Sequence, residues 1–103
     1  MNQIKNLTLS ELMNQCEDAS NLLKSMAHPQ RLQILCHLSQ TEMTVGELEK
    51  LCGASQSAVS QFLGRMKLEG LVSSARDGQF VRYRIKDEKV LKLIQVLHKL
   101  FCP

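Results

Sequence analysis

Between Thr44 and Gly70 the sequence encodes two helices with nothing but Gly53 and Ala54 between them. Thr44-Val45-Gly46-Glu47 has capping-box spacing, in which a threonine hydroxyl and a glutamate three residues on satisfy free amides of the first turn. The short helix that follows is expected to end at Gly53, since a left-handed residue closes a last turn and glycine adopts it without a Cβ clash. Ser55 then caps a second helix expected to run to about Glu69, with Gly70 as its stop. This is the sequence form of a helix-turn-helix.

What flanks the pair narrows the architecture. Thr8-Leu9-Ser10-Glu11 is another capping box, followed by Leu9, Leu12, Met13, Cys16, Ala19, Leu23 and Met26 at helical spacing. His28-Pro29 opens a second helix, with proline at a position that needs no amide hydrogen and His28 as its cap. Leu32, Leu35, Cys36 and Leu38 are expected on its buried side, and Gln40-Thr41-Glu42-Met43 reads as a connection. After Gly70 the period changes to two. Leu71–Ala75 and Phe80–Ile85 flank Arg76-Asp77-Gly78-Gln79, a strong hairpin signal. Asp87 caps a last helix carrying Val90, Leu93, Ile94, Leu97, Leu100 and Phe101. The expected fold is mainly α with a small β-hairpin. It is a single winged helix-turn-helix domain over residues 1–103, with an extra helix at each end.

With 44% hydrophobic residues in a 103-residue chain, one core is feasible. A chain of this size buries a smaller share of its surface than a larger one, so an oligomer interface would help it. Apolar runs of a few residues fall far short of the roughly 20 that a bilayer requires. Met1–Asn6 has no apolar leader region, so a cytoplasmic protein is expected. Cys16, Cys36, Cys52 and Cys102 form no C-x-x-C pair, which excludes a zinc ribbon or a thioredoxin-like motif, and they are expected as thiols in a reducing compartment. No Ser/His/Asp or paired-carboxylate constellation argues for an enzyme, and no cofactor is implied.

Charge distribution points to a partner. The formal net charge is only +3, but the segment from Ser55 to Lys86 contains Arg65, Lys67, Arg76, Arg82, Arg84 and Lys86 against Glu69 and Asp77, and so carries the whole positive excess. A solvated basic face fits this, and so does a nucleic-acid footprint. The helix from Ser55 decides between them. Val59, Leu63 and Met66 form an inward stripe, while Gln56, Ser57, Ser60, Gln61 and Gly64 occupy the other side. Uncharged hydrogen-bonding groups suit base edges: glutamine can make a bidentate contact to adenine, and serine is permissive. Arg65 and Lys67 follow where phosphates would flank a groove. Gly64 costs its helix about 1 kcal/mol relative to alanine, and a close backbone approach is one reason to retain it. In the hairpin, Arg76, Gln79 and Arg82 are expected at or near the wing tip, within reach of a phosphate or a minor groove. Arg84 and Lys86 can be ordinary outward strand residues.

The segments Leu23–Leu35, Gly46-Glu47-Leu48, Ser55–Leu63 and Glu69–Val72 together resemble the ArsR/SmtB family of bacterial repressors, and the similarity extends from about Ala19 to Pro103. The resemblance implies a homodimer in which the terminal helices form the interface, bound to an inverted-repeat operator in double-stranded DNA with half-sites about one helical turn apart. It points to Gln56, Ser57, Ser60 and Gln61 as recognition contacts. One departure stands out: Phe62 occupies a position where many members have histidine, which removes a hydrogen bond and leaves a ring to pack inward or meet a thymine methyl.

Many members of the family bind metals. The arsenic- or cadmium-type cysteine pair is missing from Val45–Cys52, and Asp87 and His98 do not reproduce the zinc-type ligands, so no metal site of the usual kind is expected. Cys36 and Cys102 instead resemble the paired thiols of a sulfide- and redox-responsive subgroup, in which oxidation or persulfide bridging links the second and last helices. The resemblance therefore implies reactive sulfur or an oxidant as the signal. Two other possibilities stay open: a metal sensor with an atypical site at Cys36, His37, His98 and Cys102, and a winged helix used only for protein contacts. Cys16 reads as a small hydrophobe.

Overall fold

The computed structural model describes residues 8–102. Residues 1–7 and 103 of the expected single domain lie outside the described residues. Five helices and three strands follow in order: α1 (Leu9–Met26), α2 (Pro29–Leu38), β1 (Met43–Thr44), α3 (Val45–Cys52), α4 (Gln56–Leu68), β2 (Val72–Asp77), β3 (Phe80–Ile85) and α5 (Glu88–Phe101). This is a winged helix-turn-helix with an additional helix at each end.

The caps form as their spacing predicts. Thr8 and Glu11 at the start of α1, and Thr44 and Glu47 at the start of α3, exchange side-chain and backbone hydrogen bonds as capping boxes. The His28 ring caps α2, its Nδ1 accepting from the Gln30 amide at 3.1 Å. Ser55 and Asp87 accept from amides of the first turns of α4 and α5. Gly53 closes α3 at φ 66°, a conformation that would strain any L side chain.

The antiparallel sheet has the order β1-β3-β2. Its edge corrects the expectation for residues 40–43: Met43 and Thr44 pair with Tyr83 and Arg82. Two residues are too few to show a period-two pattern, so only the partner strand reveals this one. The hairpin turn is also shorter than the four-residue connection expected. Asp77 pairs with Phe80, which leaves Gly78-Gln79 as a two-residue turn. Gly78, at φ 64°, supplies the positive dihedral.

One core joins the layers. It contains Met26, Ile34, Leu35, Leu38, Leu48, Val59, Leu63, Met66, Leu71, Val72, Val90 and Ile94. Cys36 is exposed, contrary to its expected place on the buried side of α2, while Ile34 is fully buried. At about 100° per residue, Ile34, Leu35 and Leu38 share one arc, and Leu32 and Cys36 fall together on the next flank.

The corner between α1 and α2 is tied to the end of α4. Arg31 Nη1 donates to the Ser25 carbonyl and to Glu69 Oε1, each at 3.1 Å. Arg65 approaches the other Glu69 oxygen at 3.5 Å. Desolvation would raise the Glu69 carboxyl, but hydrogen bonds from Arg31 and Ser25 and the charges of Arg31 and Arg65 outweigh it and hold the group below the usual carboxylate range. A depressed folded-state pKa stabilises above the unfolded pKa, and the contribution fades as pH falls through the folded value. Glu69→Gln should therefore cost about 1 kcal/mol at neutral pH. Urea melts of the two proteins should converge as pH falls below the ordinary carboxylate range.

Candidate nucleic-acid interface and thiol groove

Complete burial of Val59, Leu63 and Met66 fixes which side of α4 meets solvent. Gln56, Ser57, Ser60, Gln61, Gly64 and Arg65 are all exposed, as is Ser55 at the cap. The Ser55 hydroxyl oxygen accepts from the Ala58 amide at 3.1 Å, which leaves its hydrogen free to donate outward. A Cβ built on Gly64 would meet nothing within 4 Å, so intramolecular packing gives no reason for glycine there. Phe62 turns from this face toward the core, half-buried, with its ring 4.8 Å from that of His28. The inward alternative for Phe62 is the one realised.

The basic residues divide into engaged and free. Lys67 Nζ donates to Ser74 Oγ at 2.7 Å, joining the end of α4 to β2, and Arg65 pairs with Glu69. Arg82 is paired with both Asp77 and Glu47, and the register sets it opposite Ala75, two pairs in from the turn. Arg84 donates to Ser73 Oγ. Among the described residues Arg76 has no ion-pair partner, and it stands exposed beside Gln79 at the turn. Phe80, 56% exposed at the first strand pair of the wing, was not among the expected contacts. Its place in an alternating strand marked it as sheet, and only the short turn reveals how near the tip it lies.

A second feature lies between α2 and α5. A groove of about 900 Å³ is lined by Leu32, Cys36, Ile94, Leu97, His98 and Cys102, among others. Leu91, Gln95, His98 and Cys102 fall on one flank of α5, facing the flank of α2 that carries Leu32 and Cys36. Partial desolvation against the groove wall pushes the thiol of the otherwise exposed Cys36 up, and a negative charge on Cys102 would push it further. Cys36 also lies in the last turn of α2, where the negative end of the helix dipole opposes a thiolate. Both cysteines are free thiols. Among the described residues no three His, Cys, Asp or Glu side chains gather as a metal-holding group, so Cys36, His37, His98 and Cys102 do not form the atypical cluster considered above. Cys52 is half-buried against the core, and Cys16 is exposed on α1.

An exposed, uncharged recognition-helix face beside a basic hairpin defines a DNA-binding regulator of transcription. Residues 28–74 match the profile of the bacterial regulatory proteins of the arsR family. The transcriptional regulator YgaV of Escherichia coli is 48% identical over 96 residues, which cover 92% of this chain and 97% of YgaV. The crystal structure of the transcriptional repressor BigR from Xylella fastidiosa superposes with a TM-score of 0.88 at 34% identity, over 94% of this chain and 99% of BigR. The homodimeric winged helix-turn-helix domain Mb0332 of Mycobacterium bovis gives a TM-score of 0.73 at 27% identity, over 94% of this chain and 89% of that one. The chain belongs to the arsR family, whose members are transcriptional regulators and not enzymes. No helix of the described residues is long and apolar enough to cross a membrane.

On the exposed face of α4, stability and DNA binding are expected to separate. Gly64→Ala should stabilise the fold by about 1 kcal/mol yet weaken DNA binding, because the added methyl projects from the exposed face. Gln61→Ala should cost about 1–3 kcal/mol on the preferred site and little on unrelated DNA. Thermal melts together with fluorescence anisotropy on both DNAs check the pair; equal losses on both DNAs would remove Gln61 from base readout.

Proposed function

We propose that the protein is a homodimeric cytoplasmic repressor whose hold on an inverted-repeat operator is switched by oxidation or persulfide bridging of Cys36 and Cys102. The observation that carries this reading is the groove between α2 and α5, which both Cys36 and Cys102 line. Ser55, Gln56, Ser57, Ser60 and Gln61 would meet the major groove, with Arg65, Arg76 and Gln79 at its phosphate margins. Support for the dimer comes from apolar side chains left uncovered on the terminal helices: Leu9, Leu12, Met13 and Leu23 on α1, and Val96, Leu100 and Phe101 on α5. Contiguous apolar surface on a small domain favours an interface. The homodimeric state of the Mycobacterium bovis domain is in line with it.

The chemistry balances in two ways. A hydroperoxide takes two electrons from the thiols, giving the disulfide, an alcohol and water. A persulfide donor passes its outer sulfur to each cysteine and leaves as a thiol; the two protein persulfides then condense to a trisulfide and release hydrogen sulfide. A disulfide needs Cα atoms within about 4.4–6.8 Å, and a longer bridge tolerates more. Either covalent tie holds α5 against α2. Because α5 carries part of the apolar surface assigned to the dimer, the tie would change the angle between the two recognition helices.

Reduced protein treated with an organic persulfide should lose operator affinity at least tenfold, about 1.4 kcal/mol. Intact mass should show a Cys36–Cys102 bridge, and a thiol reductant should restore binding. Cys36→Ser and Cys102→Ser should each abolish the response while still binding DNA. Undiminished binding by a protein whose bridge is confirmed would overturn the switch.

A further inference from the structure

We propose that Arg82 is a positioning residue: held between Asp77 of β2 and Glu47 of α3, its guanidinium sets the wing against the helix-turn-helix and makes no phosphate contact of its own. Three connections converge on it. Its backbone is in register with Thr44 of β1, the residue that caps α3. Its Nε donates to Asp77 Oδ2 at 3.0 Å, and its Nη1 lies 3.5 Å from Glu47 Oε1. That same Glu47 oxygen accepts the Thr44 amide at 2.9 Å, so one carboxylate serves both the helix cap and the wing.

The opposite side of the hairpin is held too. Side chains alternate across a strand, so Ser74, paired with Tyr83, lies on the other face from Arg82. There Lys67 of α4 reaches Ser74 Oγ. Each helix of the helix-turn-helix thus grips one face of the wing through a single polar contact. The partners of Arg82 agree electrostatically: Asp77 and Glu47 favour its charge, and the Glu47 carboxyl is held low first by the Thr44 amide and hydroxyl and then by Arg82. A guanidinium committed to two carboxylates would have to leave both to reach a phosphate. Arg76, without an ion-pair partner among the described residues, would not.

The test uses the sign of an effect. Glutamine can still serve at the third position of a capping box, so Glu47→Gln removes the ion pair and spares the cap. Removing an acid close to DNA would by itself tighten binding. If Arg82 works through Glu47, Glu47→Gln should instead weaken binding to duplex selected by the wild-type protein, by about two- to fivefold, the range of an exposed ion pair. Arg82→Gln should do the same, and the double variant should be no weaker than either. Amide hydrogen exchange in β2 and β3 of the free protein should rise in both single variants, with global melting unchanged. Unchanged or tighter binding by Glu47→Gln, or additive losses in the double variant, would overturn the proposal. Should Arg82→Gln also flatten the salt dependence by about one unit while Glu47→Gln does not, Arg82 is a direct phosphate contact.

Discussion

The seating of α4 by Val59, Leu63 and Met66 is the constraint on which the remaining geometry depends. All three are fully buried in one core with residues of α2, α3, β2 and α5. Each removes apolar surface worth about 1.5–3 kcal/mol as an upper estimate. Because a helix rotates as a rigid body, burying that stripe also decides that Gln56, Ser60, Gln61 and Gly64 face outward. Packing on one side is thus what specifies recognition on the other, and the helix needs no ligand to present its polar face.

Much of this was legible because helix ends and buried stripes are local signals. Thr44, Gly53, Ser55 and Gly70 bound two helices whatever the rest of the chain does, and a period of 3.6 names the inward face. Signals that need a partner were not legible. Met43 and Thr44 become a strand only because β3 lies beside them. Cys36 follows a leucine-rich pattern, yet its side of α2 faces a groove shared with α5, while the Ile34 arc enters the core. Charge misled most. Lys67, Arg65 and Arg82 are equally basic on paper, but each is engaged by a serine or a carboxylate brought from a distant or neighbouring turn.

The cysteine pair shows the same division. Nothing local marks Cys36 or Cys102 as reactive: partial desolvation and the end of α2 both disfavour a thiolate at Cys36. What sets the pair apart is that both line one groove between two helices, a tertiary property that composition and periodicity cannot reveal. A thiol disfavoured as a thiolate is also one that casual electrophiles capture slowly. In the proposed switch, a groove lined by the second thiol would compensate by making the closing step intramolecular, which would favour bridging over stable single modification.

The two sites are joined through the core. α2 carries Cys36 on one flank and, one arc away, contributes Ile34 and Leu35 to the cluster that seats α4. At its start His28 caps it and meets Phe62 of α4, and Arg31 reaches Glu69 just past the end of α4. The proposed tie between α2 and α5 would therefore act on a helix already linked to the middle and the C-terminal end of α4. Close-packed interiors transmit such displacements because they lack the free volume to absorb them. The shift need not be large within one protomer. If two copies pair through α1 and α5, a small rotation at α5 is carried to a recognition helix on each side, and spacing between half-sites is the quantity a duplex tolerates least.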